Sequence, residues 1–148
     1  MTDTYEYYVD QSKPWLQPEA GWPEQVPKNY HFPRMTLYEM LSHAVEKSGD
    51  QNAIWFLNSF MTYKELLANV DALATSFHNM GLRKGDVVAL VLPSSFQYVI
   101  TYYACVKLGL IVTGVNPTYK PGEVLHELNL TEAKTVVVLD ALYQPLIA

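Results

Sequence analysis

Residues 83–117 constrain the fold of this chain more than any other stretch. Residues 87–92 form an uninterrupted apolar run, which is typical of a strand covered on both faces, and Pro93 ends it. A second apolar run, residues 110–115, follows after a segment long enough for one helix. Two buried strands separated by a single helix pair most naturally in parallel, through a right-handed crossover. The sequence therefore predicts a strand, a helix and a parallel strand at the centre of the fold.

The segment between these two runs is predicted to be a helix with almost no polar face. Ser94 and Ser95 can cap its N-terminus, and Gly109 can end it. Large apolar and aromatic residues fill nearly all of the positions between: Phe96, Val99, Ile100, Tyr102, Tyr103, Ala104, Cys105, Val106 and Leu108. A helix that is apolar almost all round has to be covered on all sides. We expect the same chain or a further domain to cover it.

Two helices with a hairpin between them are predicted before this unit. Both helices open with the spacing of a capping box: Thr36 with Glu39, and Thr62 with Glu65. The first is expected to close at Gly49, and the second carries a long apolar stripe as far as Gly81. Residues 53–57 and 60–62 are predicted to be short strands joined through Asn58-Ser59.

The segment after the central unit continues the alternation of helices and strands. Pro121 opens a helix in which Val124, Leu125 and Leu128 are predicted to face inward. Residues 135–139 are predicted to form a further buried strand. Asp140 can then cap a last helix, where Pro145 is tolerated only near the first turn. The pattern predicts an α/β fold with a mainly parallel sheet and crossover helices.

The first 35 residues differ in composition from the rest. They contain five of the nine prolines together with Trp15 and Trp22, which excludes long helices but is too aromatic for a free linker. We expect residues 1–35 to be an extended leader arm that lies on its own domain or grips a second subunit. Residues 36–148 are then the first α/β lobe of a larger domain, truncated at its C-terminus, because a helix that stops after about two turns with no cap looks incomplete.

Charge and composition argue against several classes of function. The net charge of -5 and the isoelectric point near 5.2 disfavour nucleic acid or an anionic membrane as a partner. The start of the chain has neither the positive segment nor the apolar core of a signal peptide, and no apolar run reaches the length of a membrane span. We expect a cytoplasmic protein whose single cysteine, Cys105, is a buried thiol.

The sequence holds no recognisable set of catalytic or metal-binding residues. No glycine-rich phosphate loop or dinucleotide fingerprint follows a strand: Gly109 and Gly114 have the spacing of P-loop glycines, but Val115 and Asn116 stand where a P-loop has Lys and Ser or Thr. No serine lies in a nucleophile elbow. The four histidines are too far apart to suggest a metal site: His31, His43, His78 and His126.

Two segments resemble core motifs of the adenylate-forming enzymes. Residues 61–66, Met-Thr-Tyr-Lys-Glu-Leu, resemble a motif usually written L-T-Y-x-E-L, and the segment from Lys107 to Pro117 resembles a second motif of the K-x-G type. Residues 81–95 and 116–123, with the leader residues 13–16, are similar to fatty acyl-CoA synthetases in particular. The resemblance covers most of the chain.

This resemblance implies that the chain is an N-terminal segment of an ATP-dependent ligase for medium- or long-chain fatty acids. Such enzymes convert ATP and a carboxylate to an acyl-adenylate, and the thiol of coenzyme A then displaces AMP. ATP, Mg²⁺ and coenzyme A are therefore implied cofactors of a full-length enzyme, with the groups that hold them in later segments. We assign no catalytic, cofactor-binding or metal-binding residue to this chain, and we expect the segment alone to be inactive.

Two other interpretations stay open from the sequence. One is a stand-alone, non-catalytic α/β interaction module whose uncovered apolar helix binds another protein. An unrelated small α/β enzyme would need a phosphate or metal site that the sequence does not provide. In the ligase interpretation the partners are the remainder of the parent enzyme, a fatty acid substrate and a second copy held through the leader arm.

Overall fold

The computed structural model describes residues 4–6, 10, 12–28 and 31–147, and the chain divides into two compact units, Met1–Thr36 and Leu37–Ala148. In the first unit, β1 (Thr4–Glu6) pairs antiparallel with β2 (His31–Pro33). Single 3₁₀ turns, Pro14–Leu16 and Pro18–Ala20, lie between these strands and each begins at a proline. The described part of this unit has no longer helix, as its prolines predict.

The second unit begins with a helix, a hairpin and a second helix. Their bounds are α1 (Leu37–Ser48), β3 (Asn52–Phe56), β4 (Ser59–Thr62) and α2 (Tyr63–Asn79). Gly49 follows α1, but its φ is not positive, so it is not the left-handed cap that was expected. A Cβ atom at Gly49 would lie 2.7 Å from the carbonyl oxygen of Val45, so the close approach of the backbone requires glycine there.

The predicted hairpin is present, but its turn lies one residue earlier than expected. The strands β3 and β4 pair antiparallel, with Phe56 opposite Ser59. Leu57 and Asn58 form the turn with φ angles of 46° and 59°. Two successive residues with positive φ are typical of a type I′ turn, which matches the twist of the flanking strands.

The helix α2 has the predicted capping box and core stripe. The Thr62 hydroxyl accepts the Glu65 N–H at 3.2 Å, and the Glu65 carboxylate accepts the Thr62 N–H at 2.8 Å. Four residues at helical spacing are buried on one side: Leu66, Val70, Ala74 and Phe77. The helix ends as predicted before Gly81, whose φ is 93°. The capping box of Thr36 and Glu39 stays a prediction.

The central unit is confirmed as β5 (Val87–Val91), α3 (Phe96–Leu108) and β6 (Ile111–Gly114), with the two strands parallel and Val87 beside Ile111. At the end of α3, Gly109 has a φ of 69°. The Leu110 N–H bonds the Cys105 carbonyl at 2.9 Å and the Gly109 N–H bonds the Val106 carbonyl at 3.1 Å. This pair of bonds is a Schellman motif, which confirms the predicted glycine terminus.

A third parallel strand, β7 (Thr135–Val138), pairs with the other edge of β5 and gives the strand order β6-β5-β7. The predicted α/β fold with a parallel sheet is thus confirmed. All four residues of β7 are only half-buried, however, whereas β5 is buried over most of its length. The prediction of a fully buried strand is wrong because β7 lies at an edge of the sheet and β5 at its centre.

Two predictions about the last helices are wrong in detail. In α4 (Pro121–Leu130), Val124 is fully buried, but Leu125 is 59% exposed because it lies about 100° further round the helix. In α5 (Asp140–Leu146), Leu139 and not Asp140 occupies the N-cap position. Pro145 lies in the second turn, where it has no N–H to donate to the Ala141 carbonyl, and the helix ends one residue later.

The sheet has a separate apolar cluster on each face. Val88 and Leu90 of β5 join a large cluster with α1, α2 and α3, and Ala89 and Val91 join a smaller one with α4 and α5. Successive residues of a strand point to opposite faces, so the two clusters lie on the two sides of the sheet. Most apolar side chains of α3 are half-buried, and only Thr101, Ala104 and Cys105 are fully buried.

Candidate functional site

The chain leaves the carboxyl ends of β5 and β7 in opposite directions. After β5 it enters α3, whose Ala104 and Cys105 belong to the larger apolar cluster. After β7 it enters α5, whose Leu146 packs against the smaller cluster on the other face. Adjacent parallel strands whose connections diverge in this way leave a crevice at their carboxyl ends, and this is where open α/β sheets bind ligands.

A cleft of about 580 Å³ is present at this position, which we name the β5/β7 crevice. Its lining includes residues that follow β5 and β7 and the tip of the β3–β4 hairpin. Seven of the lining residues are apolar: Phe56, Leu57, Leu92, Pro93, Val137, Val138 and Leu139. Three are polar: Ser95, Gln97 and Asp140. The lining includes no lysine, arginine or histidine, so the crevice suits an uncharged ligand surface.

Two of the three polar side chains at the rim, Ser95 and Asp140, are engaged in local structure. The Ser95 hydroxyl accepts the N–H of Tyr98 at 3.3 Å and caps α3, as the sequence predicts. One Asp140 oxygen accepts the N–H of Ala141 at 2.8 Å. A hydroxyl that caps a helix with no base beside it is not an activated nucleophile. The Ser95 hydroxyl is therefore a structural cap of α3.

The other predicted chemical residues are not brought together. The structure places His43 on α1, His78 on α2 and His126 on α4; the side chain of His31 lies outside the described residues. Among the residues described, no three His, Cys, Asp or Glu side chains are grouped to hold a metal ion. The described residues thus include no such cluster of three ligands for Mg²⁺, and the sequence contains no glycine-rich phosphate loop.

Cys105 is confirmed as a buried free thiol. Burial raises the pKa of Cys105 to about 12. The thiol therefore stays protonated at neutral pH, and only the thiolate is a good nucleophile. Cys105 is a core residue of α3.

Lys107, the first residue of the second sequence motif, joins three helices. Its ammonium donates to Asp71 of α2 at 2.8 Å, and the Tyr38 hydroxyl of α1 donates to the same oxygen at 2.9 Å. The ammonium also lies 4.6 Å from the centre of the Tyr38 ring. Partial burial lowers the pKa of Lys107, but the bond to Asp71 and the contact with Tyr38 outweigh it, so that its pKa is raised. The charged side chain of Lys107 therefore links α3 to α1 and α2.

The first sequence motif is likewise structural in this chain. Its Thr62 and Glu65 form the capping box of α2. The backbone N–H of Thr62, with its hydroxyl, lowers the pKa of Glu65. Both motifs therefore fix the packing of helices around the sheet.

The described chain has no helix that is long and apolar enough to cross a membrane.

Comparisons with known proteins agree with this fold. Residues 41–147 match the AMP-binding enzyme family. The long-chain-fatty-acid–CoA ligase of Bacillus subtilis (strain 168) is 33% identical over 135 residues, which cover 91% of this chain and 24% of that protein. 4-Coumarate–CoA ligase 4 of Arabidopsis thaliana is 28% identical over 120 residues, covering 78% of this chain and 21% of that protein.

A solved structure shares the fold at lower identity. A benzoate CoA ligase from Burkholderia xenovorans LB400 superposes with a TM-score of 0.71 at 18% identity, over 75% of this chain and 23% of that one. The benzoate CoA ligase therefore shares the fold of this chain over the superposed part. The chain belongs to the AMP-binding enzyme family. It spans about a quarter of the length of the Bacillus subtilis relative.

Sequence reasoning missed the β5/β7 crevice altogether. Its walls come from three places that are far apart in sequence, namely the hairpin tip, the end of β5 and the end of β7. The available signal was that two predicted strands, residues 87–92 and 135–139, are each followed by a turn and a helix. That signal locates a site only once the strand order is known.

Proposed function

We propose that this chain supplies the first α/β lobe of an ATP-dependent ligase for medium- or long-chain fatty acids. In that reaction, ATP and the fatty acid give an acyl-adenylate and pyrophosphate, and the thiol of coenzyme A then displaces AMP to leave the thioester. The observation that carries the proposal is the 33% identity to a long-chain-fatty-acid–CoA ligase over 91% of this chain. The motifs at residues 61–66 and 107–117 support it.

Within such an enzyme we propose a scaffold role for residues 36–148 and a leader arm at residues 1–35 that contributes to a homodimer in the cytoplasm. The described residues offer no set of groups for ATP or Mg²⁺. We therefore propose that the 148-residue chain alone is inactive, and that the remainder of a parent enzyme would supply those groups. Half-buried side chains of α3 and the exposed Trp55 and Phe60 of the hairpin would then lie against that remainder.

Two measurements test this proposal. The 148-residue chain is mixed with ATP, Mg²⁺ and decanoate, and exchange of labelled pyrophosphate into ATP is followed; we expect no exchange above background. The reading frame of the source gene is then determined past the codon for Ala148. If it continues, the longer product should form decanoyl- and palmitoyl-CoA faster than benzoyl- or coumaroyl-CoA. A product that prefers the aromatic acids would contradict the fatty acid assignment.

A non-catalytic interaction module is the second candidate, because large apolar side chains are exposed on this unit. Trp55 is 63% exposed, Phe60 is 60% exposed and Leu130 is 69% exposed. Trp55 and Phe60 are opposite each other in the hairpin, and adjacent exposed apolar side chains can mark a binding surface in soluble proteins. A stop codon directly after Ala148, together with a stable monomer in sedimentation, would favour this candidate over the ligase.

A further inference from the structure

We propose that the β5/β7 crevice binds an unbranched aliphatic chain, such as the tail of a fatty acid, with the acid's head group held elsewhere. This inference rests on the proposed function for the identity of its ligand, but its site is defined by this chain's own residues. It assigns a share of acyl-chain binding to a lobe that carries no catalytic group.

The position of the crevice is the first argument. It lies at the carboxyl ends of adjacent parallel strands whose following helices, α3 and α5, pack in clusters on opposite faces of the sheet. Open α/β sheets bind their ligands at this kind of switch point. Its volume of about 580 Å³ lies within the range of small-molecule sites, roughly 300–1,000 Å³.

The chemistry of the lining is the second argument. Aliphatic or proline side chains supply most of the walls, and the only charge is the Asp140 carboxylate at the rim. An anionic head group would be repelled by Asp140 and would find no cation among the lining residues. An uncharged methylene chain, in contrast, has no charge to desolvate when it contacts Leu92, Val137 and Leu139, and each buried methylene favours binding.

The hairpin tip is the third argument. Leu57 has a φ of 46° and its side chain is 77% exposed at the mouth of the crevice. Positive φ is unfavourable for a leucine, and Gly, Asn or Asp are preferred in such turns. A strained backbone that presents a large apolar side chain to solvent is a feature found at binding sites. An aliphatic ligand in the crevice would cover Leu57.

The test follows backbone amide signals of the ¹⁵N-labelled 148-residue chain while octanoate, decanoate, 1-decanol or benzoate is added below micelle formation. We expect saturable shifts at Leu92, Val138 and Leu139 with decanoate, and affinity that falls about fourfold for each methylene removed. 1-Decanol should bind at least as tightly as decanoate, because no cation receives the carboxylate. Benzoate should bind much more weakly.

Variants at exposed positions keep the test independent of folding. Leu139→Glu places a charge in the crevice and should weaken decanol binding tenfold or more, while Leu57→Asn should weaken it several-fold. Leu125→Glu is the matched control, because Leu125 is 59% exposed on α4 and does not line the crevice. Its affinity should equal that of the unchanged chain.

Several outcomes would overturn the inference. These are the absence of shifts at the crevice amides, equal affinities for octanoate and decanoate, stronger binding of benzoate, and equal weakening by Leu139→Glu and Leu125→Glu. Shifts at the same amides that depend on protein concentration without ligand would assign the crevice to a second copy of the chain. If decanol binds but a longer product forms no acyl-CoA, the proposed function fails and the site stands. If a longer product forms fatty acyl-CoA but the crevice amides do not shift, the proposed function stands and the inference about the crevice fails.

Discussion

Gly109 is an exposed position at which a side chain should destabilise the second unit. It ends α3 with a φ of 69° and donates the N–H that closes one ring of the Schellman motif. A residue with a Cβ atom pays about 1–2 kcal/mol for a left-handed backbone. The new Cβ would also lie 3.0 Å from Cγ of Lys84, but that flexible side chain can move at little cost. We therefore expect Gly109→Ala to lower the free energy of unfolding by about 1–2 kcal/mol.

Urea unfolding followed by circular dichroism measures this loss. With a slope of about 2 kcal/mol per molar urea, the midpoint should fall by roughly 0.5–1 M. Gly109→Asn should cost less than half as much, because asparagine tolerates the left-handed region better than other residues with a Cβ atom.

Gly122 provides the matched control. It lies in the first turn of α4, its φ is not positive, and a Cβ atom there would meet no heavy atom within 4 Å. Gly122→Ala should therefore stabilise the chain by about 0.4–1 kcal/mol. A Gly109→Ala chain within about 0.3 kcal/mol of the unchanged chain, or an asparagine as harmful as alanine, would refute the reasoning about this helix end.

Three further predictions concern polar contacts of the second unit. Thr62→Ala removes the cap of α2 and should cost about 1 kcal/mol in urea unfolding, whereas Thr62→Ser should cost little. Hydrogen bonds from Lys134 and from the Arg83 N–H lower the pKa of Asp86. The ionised Asp86 therefore stabilises the fold above the pKa of an unfolded aspartate, and this stabilisation is lost as the pH falls through the folded pKa. The urea midpoints of Asp86→Asn and the unchanged chain should differ at neutral pH and converge in acid. The side chains of Lys107 and Asp71 are 32% and 43% exposed, so their ion pair is partly screened by solvent. A double-mutant cycle with Lys107→Met and Asp71→Asn should give a coupling energy of about 0.5–1 kcal/mol, and the coupling should weaken in salt. A coupling energy of zero would show that this ion pair does not stabilise the packing of the helices.

The features that could be predicted from the sequence are those that depend on neighbouring residues. The apolar run of β5, the Thr62 capping box and the glycine end of α3 all follow from side chains within a few positions of one another. The family resemblance rests on the same segments, and the match over residues 41–147 confirms it. Local periodicity also gave the parallel pairing of β5 and β6, because a single helix separates them.

The features that could not be predicted depend on contacts between distant segments. No pattern among neighbouring residues predicts that β7 pairs with the free edge of β5. Neither the half-burial of β7 nor the crevice at the end of β7 could therefore be inferred. The turn at Leu57 was missed for a different reason: Asn58-Ser59 has the better turn composition, and pairing of the strands overrides it. Leu125 was placed inward because three apolar residues were counted on a face that only two of them share.

The turn at Leu57 gives the last prediction, since stability and binding should respond to it in opposite directions. Asparagine is preferred at this position of a type I′ turn, so Leu57→Asn should raise the free energy of unfolding by about 0.5–1 kcal/mol. The same change removes an apolar side chain from the mouth of the crevice and should weaken decanol binding. A residue that costs stability where it is exposed and improves binding is the pattern of a functional position. If Leu57→Asn left both urea unfolding and decanol affinity unchanged, the strained turn would have neither an energetic cost nor a role in the site.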